Sequence, residues 1–108
     1  MYLALIADVI DSKMVQERFN LQKQLEKTLR KMNELFGDYL ASCFTLTLGD
    51  EFQALLKVDA PVFQIIDTLR SELSPTQLRF GIGLGEIATA IDPLQSIGAD
   101  GPAYWNAR

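Results

Sequence analysis

Histidine is absent from the 108 residues, and cysteine occurs once, as Cys43. The first absence removes Ser-His-Asp and Cys-His nucleophilic pairs, imidazole metal ligands and an imidazole pH switch. The second removes an internal disulfide and a thiolate zinc cluster, which fits a reducing, cytoplasmic setting. Any chemistry must therefore run on carboxylates, lysine, arginine, hydroxyls or a bound cofactor. Long apolar runs are lacking as well. Tyr2 to Ala7 is wholly apolar, yet it has no basic leader and meets Asp8 and Asp11 where a signal peptide would be cleaved. No stretch approaches the roughly 18 residues a membrane span requires. There is no basic surplus: ten Lys and Arg stand against fourteen Asp and Glu, a formal charge of −4. That balance argues against nucleic acid and anionic membranes as partners. What is present, 48% apolar and 22% charged residues, describes one globular domain over residues 1–108, enough for a single core.

Tyr2 to Ala7 reads as a strand buried on both faces and central in its sheet. Val15 to Phe36 carries Phe19, Leu21, Leu25, Leu29, Met32, Leu35 and Phe36 at helical spacing, with Gly37 as the expected C-cap and Asp11 or Ser12 as an N-cap. Ala41 to Lys57 alternates as a β-hairpin around Gly49-Asp50, where glycine first in a two-residue loop suits a type II′ turn. Pro61 opens a second helix through about Leu73, Gln77 to Ile87 is a strand, and Pro102 to Arg108 starts a further helix. The order β-α-β-β-α-β followed by a helix predicts an α+β, ferredoxin-like sandwich.

This order has a geometric consequence for the acidic residues. A right-handed crossover between strands of one sheet leaves them parallel, with their C-terminal ends on one edge. Asp8 closes the first strand and Asp50 sits in the turn closing the second, so both carboxylates are expected at one rim. Two carboxylates there either share a cation, for which oxygen ligation and water suit Mg²⁺, or serve as turn and strand-end residues bonded to local backbone. Gly81, Gly83 and Gly85 alternate in the last strand and share a face, so a packed helix or a ligand comes close there. In the connection 97–102, Asp100 is placed to cap the last helix. Alternatively, the free amides of this connection hold a phosphate.

The stretches LIADVIDSK, TLGDEFQALL, RFGIGLGEI and IGADGPAYWNAR resemble the SatD family of bacterial proteins across essentially the whole chain. Family members are typically about twice this long. With Tyr104 and Trp105 needing cover two turns into a helix, the chain is expected to be the N-terminal piece of a longer protein. More distantly, the same blocks in the same order resemble the catalytic core of class III nucleotidyl cyclases, and GDEF resembles the signature turn of diguanylate cyclases. In those enzymes two carboxylates hold two divalent ions that activate the ribose 3′-hydroxyl and neutralise the triphosphate. The resemblance implies a cyclase-type sandwich in which Asp8, the Val9 carbonyl and Asp50 hold Mg²⁺ or Mn²⁺. It also implies Arg108 as the arginine that stabilises the transition state, and Gly49, Gly98, Asp100 and Gly101 beside a nucleotide or related phosphate. A homodimer follows from the same likeness, since such cyclases build their site between two subunits. Two positions depart from the pattern: Leu46 stands where purine-reading cyclases carry a lysine, and Tyr104 where they carry an asparagine. The expected function is thus a diverged cyclase-like domain binding a divalent metal and a nucleotide or phosphate. The alternative is a non-catalytic regulatory or assembly module that has lost the ligand.

Overall fold

A computed structural model describes residues 1–10, 15–47 and 49–108. The expected helix caps Asp11 and Ser12 lie outside the described residues. The elements run β1 (Tyr2–Val9), α1 (Val15–Leu35), a 3-10 turn (Gly37–Tyr39), β2 (Leu40–Leu46), β3 (Glu51–Lys57), α2 (Val62–Leu73), β4 (Leu78–Gly85) and α3 (Pro102–Ala107). The chain is thus α+β, with one four-stranded sheet in the order β2-β3-β1-β4 and every neighbouring pair antiparallel. Since β3 is antiparallel to both β1 and β2, those two strands run the same way and end on the same edge. Each helical crossover skips one strand, and the apolar β1 takes the central place that its composition predicts.

Alternation along the strands sorts side chains onto two faces. Leu5, Ala7 and Val9 of β1 and Phe52, Ala54 and Leu56 of β3 pack against α1 and α2 in the larger core. From α1 this core takes Leu25, Leu29 and Met32, with Phe36 just beyond the helix. From α2 it takes Ile65, Ile66, Leu69 and Leu73. Each fully buried aliphatic side chain of this kind contributes about 1.5–3 kcal/mol. Phe19 and Leu35, predicted within the same stripe, are exposed, and the Lys23 ammonium lies over the Phe19 ring at 4.7 Å. Ala4 and Leu55 face the other way, into a smaller core with Ala103, Tyr104 and Ala107 of α3. The two helical layers therefore sandwich the sheet.

Three local expectations are corrected. Gly37 has no positive φ and opens the 3-10 turn, in which the Tyr39 N–H donates to the Phe36 carbonyl, so the left-handed cap does not form. The hairpin ladder closes where the Thr47 N–H donates to the Glu51 carbonyl (2.9 Å), so the strands are not joined by the two-residue turn expected at Gly49-Asp50. Gly49 still supplies the positive φ, +52°. At the start of α3 the capping position belongs to Gly101, at φ +148°, and no side chain caps that end.

The three strand glycines admit α3. A β-carbon on Gly81 would fall on the Ala107 carbonyl, one on Gly83 on the Ala103 carbonyl and the Ala107 amide, and one on Gly85 within 2.7 Å of the Ala103 amide. Backbone meets backbone along this strip, which is the packed-helix alternative read from the sequence. The segment between β4 and α3 crosses back over the same face. The Cys43 N–H donates to the Pro93 carbonyl at 3.1 Å, and Ser96 exchanges hydrogen bonds with Gln53 at 2.7 and 3.2 Å.

Candidate functional site

The strand register puts a row of three charged residues at one end of the α3 face. Asp8 of β1 stands directly opposite Glu51 of β3 and directly opposite Arg79 of β4. Residues opposed in this way hold their Cβ atoms about 4.5–5.5 Å apart. Asp8 and Glu51 are like charges. At about 5 Å and an effective dielectric of 20 their repulsion reaches about 3 kcal/mol. Arg79 offsets it with a two-pronged contact: Nε donates to Oδ1 of Asp8 at 3.1 Å and a terminal nitrogen donates to Oδ2 at 3.5 Å. The pair is open to water, with the Arg79 side chain 70% and Asp8 38% exposed. Glu51 is held from its own strand end, where the Thr47 hydroxyl donates to Oε2 at 2.9 Å.

These residues line a cleft of about 320 Å³, completed by Ile6, Ala7, Phe80, Gly81, Ala107 and Arg108. Arg108 arrives because α3 runs back along β4, from Gly85 at its start to Gly81 at its end. Its guanidinium sits 5.7 Å from the Tyr104 ring and donates to Oδ1 of Asp100 at 3.5 Å, an oxygen that also accepts the Trp105 indole N–H at 3.0 Å. The cleft therefore presents two carboxylates and the Arg79 guanidinium on one rim, with Arg108 lining it while its own guanidinium is turned back to Asp100. A third arginine, Arg18 of α1, stands beside the hairpin tip, 3.4 Å from where a β-carbon of Gly49 would lie.

Of the residues singled out in the sequence, Asp8, Val9 and Asp50 do meet at one rim, for the Val9 N–H donates to the Asp50 carbonyl at 3.2 Å. Asp50 itself does not line the cleft; its neighbour Glu51, one residue on, has the side chain facing Asp8. Gly49 occupies the same hairpin tip, where its carbonyl accepts from the Gln22 side chain at 3.4 Å. Asp100 and Gly101 lie past the opposite end of β4, where the Ala88 N–H donates to the Asp100 carbonyl and a Gly101 β-carbon would meet Glu86, Ile87 and Ala88. Six residue steps along β4 separate the two ends, roughly 20 Å. The amide of Ala103 is already committed to the Glu86 carbonyl at 3.1 Å, and Gly98, at φ +87°, faces open space. Asp100 and Gly101 thus do not converge with the aspartates, although the carboxylate of Asp100 reaches Arg108 from the far end of α3.

Glu51 and Arg79 were missed in the sequence. Arg79 carried a signal, because in R-F-G-I-G-L-G it shares the parity of the three glycines and so their face. Glu51 carried none, since its facing Asp8 depends on the register between β1 and β3.

The two positions that depart from the cyclase pattern are structural. Leu46 packs against the larger core. Tyr104 is fully buried in the smaller one, with no hydrogen-bond partner for its hydroxyl among the described residues. Burial pushes its pKa up to about 12; Ser96 and the charge of Arg108 pull it down by less, without Ser96 reaching hydrogen-bonding geometry. Among the described residues no group of three or more His, Cys, Asp or Glu could enclose a metal ion, and no helix is long and apolar enough to cross a membrane. Comparison with curated protein sequences returned no significant match. The SatD family model matches residues 2–108, and on that match over nearly its whole length the chain belongs to the SatD family.

Proposed function

We infer that the rim cleft binds a divalent cation, Mg²⁺ or Mn²⁺, together with a nucleotide or related phosphate compound. The scaffold is read as a ferredoxin-like sandwich of the nucleotidyl-cyclase type. The meeting of Asp8, Glu51, Arg79 and Arg108 in one cleft carries this reading. Mg²⁺ takes one or two carboxylates and fills its remaining positions with water or phosphate oxygens, so a two-carboxylate rim fits its chemistry. Asp8 and Glu51, with Asp50 and the Val9 carbonyl beside them, form the cation side. Arg79 and Arg108 form the phosphate side, where planar guanidinium groups match phosphate oxygens two at a time. The metal, when bound, would neutralise phosphate charge. Asp100 holds the Arg108 guanidinium back along α3, and a phosphate in the cleft would draw it from that contact.

Binding without turnover is the better-supported form of this reading. The position expected to orient a ribose is a buried core tyrosine, and the position expected to read a purine is a half-buried leucine packed against the larger core. The homodimer belongs to the cyclase likeness and is proposed with it. A second reading, the regulatory or assembly module without a ligand, is favoured by the existing Asp8–Arg79 pair, which leaves Asp8 already neutralised.

Thermal melts separate the two. Mg²⁺ with a nucleoside triphosphate at saturating concentration should raise the Tm by several degrees, as expected for about 2.7 kcal/mol of linkage at 100 times Kd. Asp8→Asn and Glu51→Gln should each abolish the rise. An unchanged wild-type melt removes the ligand reading, and these substitutions then alter stability by no more than about 1 kcal/mol.

A further inference from the structure

We propose that Arg79 competes with the metal ion for Asp8 and, once displaced, turns to the phosphate, so that the cleft takes its two ligands interdependently. The proposal rests on the cleft reading above and concerns the regulation of that site. Both oxygens of Asp8 are engaged by one guanidinium, at 3.1 and 3.5 Å. A divalent ion on the same carboxylate would sit against that positive charge, and the two like charges repel. Among the described residues Glu51 has no such partner; the contact to its carboxylate is the neutral Thr47 hydroxyl. Asp8 is therefore the carboxylate at which a cation must displace another.

The displacement is cheap, and Arg79 has somewhere to go. Its side chain is 70% exposed, so no packing holds it in place. Exposed pairs of this kind shift an equilibrium by a factor of about two to five. Guanidinium binds phosphate with the same fork that it offers a carboxylate, and Arg79 lines the same cleft as Arg108. A metal on Asp8 thus releases a phosphate ligand, and a phosphate that draws Arg79 away releases a metal ligand. Linkage makes the two effects equal in size.

The test titrates each probe alone. Mn²⁺ is followed by the loss of its free-ion EPR signal, and tripolyphosphate in the presence of EDTA by calorimetry. The proteins are wild type, Arg79→Met, Asp8→Asn, the double variant, and Arg18→Met. The last removes equal charge from the same rim without touching Asp8. Arg79→Met should tighten Mn²⁺ binding about two- to fivefold and weaken tripolyphosphate binding, with Arg18→Met giving a smaller change in both. Asp8→Asn should tighten metal-free tripolyphosphate binding by a similar factor, and that gain should vanish in the Arg79→Met background. If wild type binds both probes but Arg79→Met and Arg18→Met change Mn²⁺ affinity equally, or the Asp8→Asn gain persists in the double variant, the exchange is overturned while the site stands. Binding of neither probe by any of the five proteins overturns the site and the exchange together.

Discussion

At the scale of single residues, function and stability are set by where charge and hydroxyl groups are left. Asp8 has its neutralising partner one strand away, whereas the hydroxyl of Tyr104 is buried without one among the described residues. A buried, unsatisfied hydroxyl costs roughly 1–3 kcal/mol, so Tyr104→Phe should leave the fold intact and stabilise it by about 1 kcal/mol. The same substitution has a pH signature. The phenol pKa is raised from 10 in the unfolded chain to about 12 in the fold, because burial disfavours the phenolate. The folded state therefore holds its proton more tightly. That contribution is complete below pH 10 and is lost as pH climbs from 10 towards 12. Chemical denaturation across this window should show wild-type stability falling more steeply than that of Tyr104→Phe, and parallel curves would contradict the burial argument.

At the scale of elements, α3 is held on the sheet by the absence of three β-carbons. Overpacking a tight contact usually costs about 1–3 kcal/mol. Gly81→Ala and Gly83→Ala meet helix backbone that no rotamer change can move aside, so each should cost at least about 2 kcal/mol. Lost stability in urea titrations and a changed environment of Trp105, the one tryptophan, would report the displaced helix. Gly37→Ala, whose β-carbon meets nothing within 4 Å, is the matched control. This element was legible in the sequence because the G-x-G-x-G spacing matches the period of a strand. The order of the elements and the central place of β1 were legible for the same kind of reason, local period and apolar composition. What was not legible depends on pieces meeting across the fold. Phe19 and Leu35 fit a helical stripe but lie where the sheet does not reach. Asp100 is a good cap by type, yet Gly101 takes the capping position and Asp100 turns to Trp105 and Arg108. The facing of Glu51 and Asp8 is a matter of register, which a single sequence does not specify, so the rim was predicted while the residue standing opposite Asp8 across it was not.

At the scale of the whole molecule, one sheet separates two unequal cores, and the cleft draws residues from both sides of that inequality. Among the described residues the core under α1 and α2 contains eighteen buried residues, while the one under α3 contains Ala4, Leu55, Ala103, Tyr104 and Ala107. Local opening is governed by how little apolar surface must be exposed, so α3 and the segment leading into it should open at lower free energy than β1 and α1. Asp8 and Glu51 belong to strands of the sheet, whereas Arg108 travels with α3. Opening the α3 layer therefore strips the cleft of Arg108 while its carboxylates stay in place. Native-state hydrogen exchange read by mass spectrometry should show peptides covering 86–108 exchanging through smaller openings than those covering β1 and α1. Mg²⁺ with a nucleoside triphosphate should slow exchange in the 86–108 peptides most, because a ligand that engages Arg108 closes the layer carrying it. Uniform exchange across the chain would mean that the two layers unfold as one unit. Protection confined to β1 and the hairpin would place the ligand on the carboxylates alone, without Arg108.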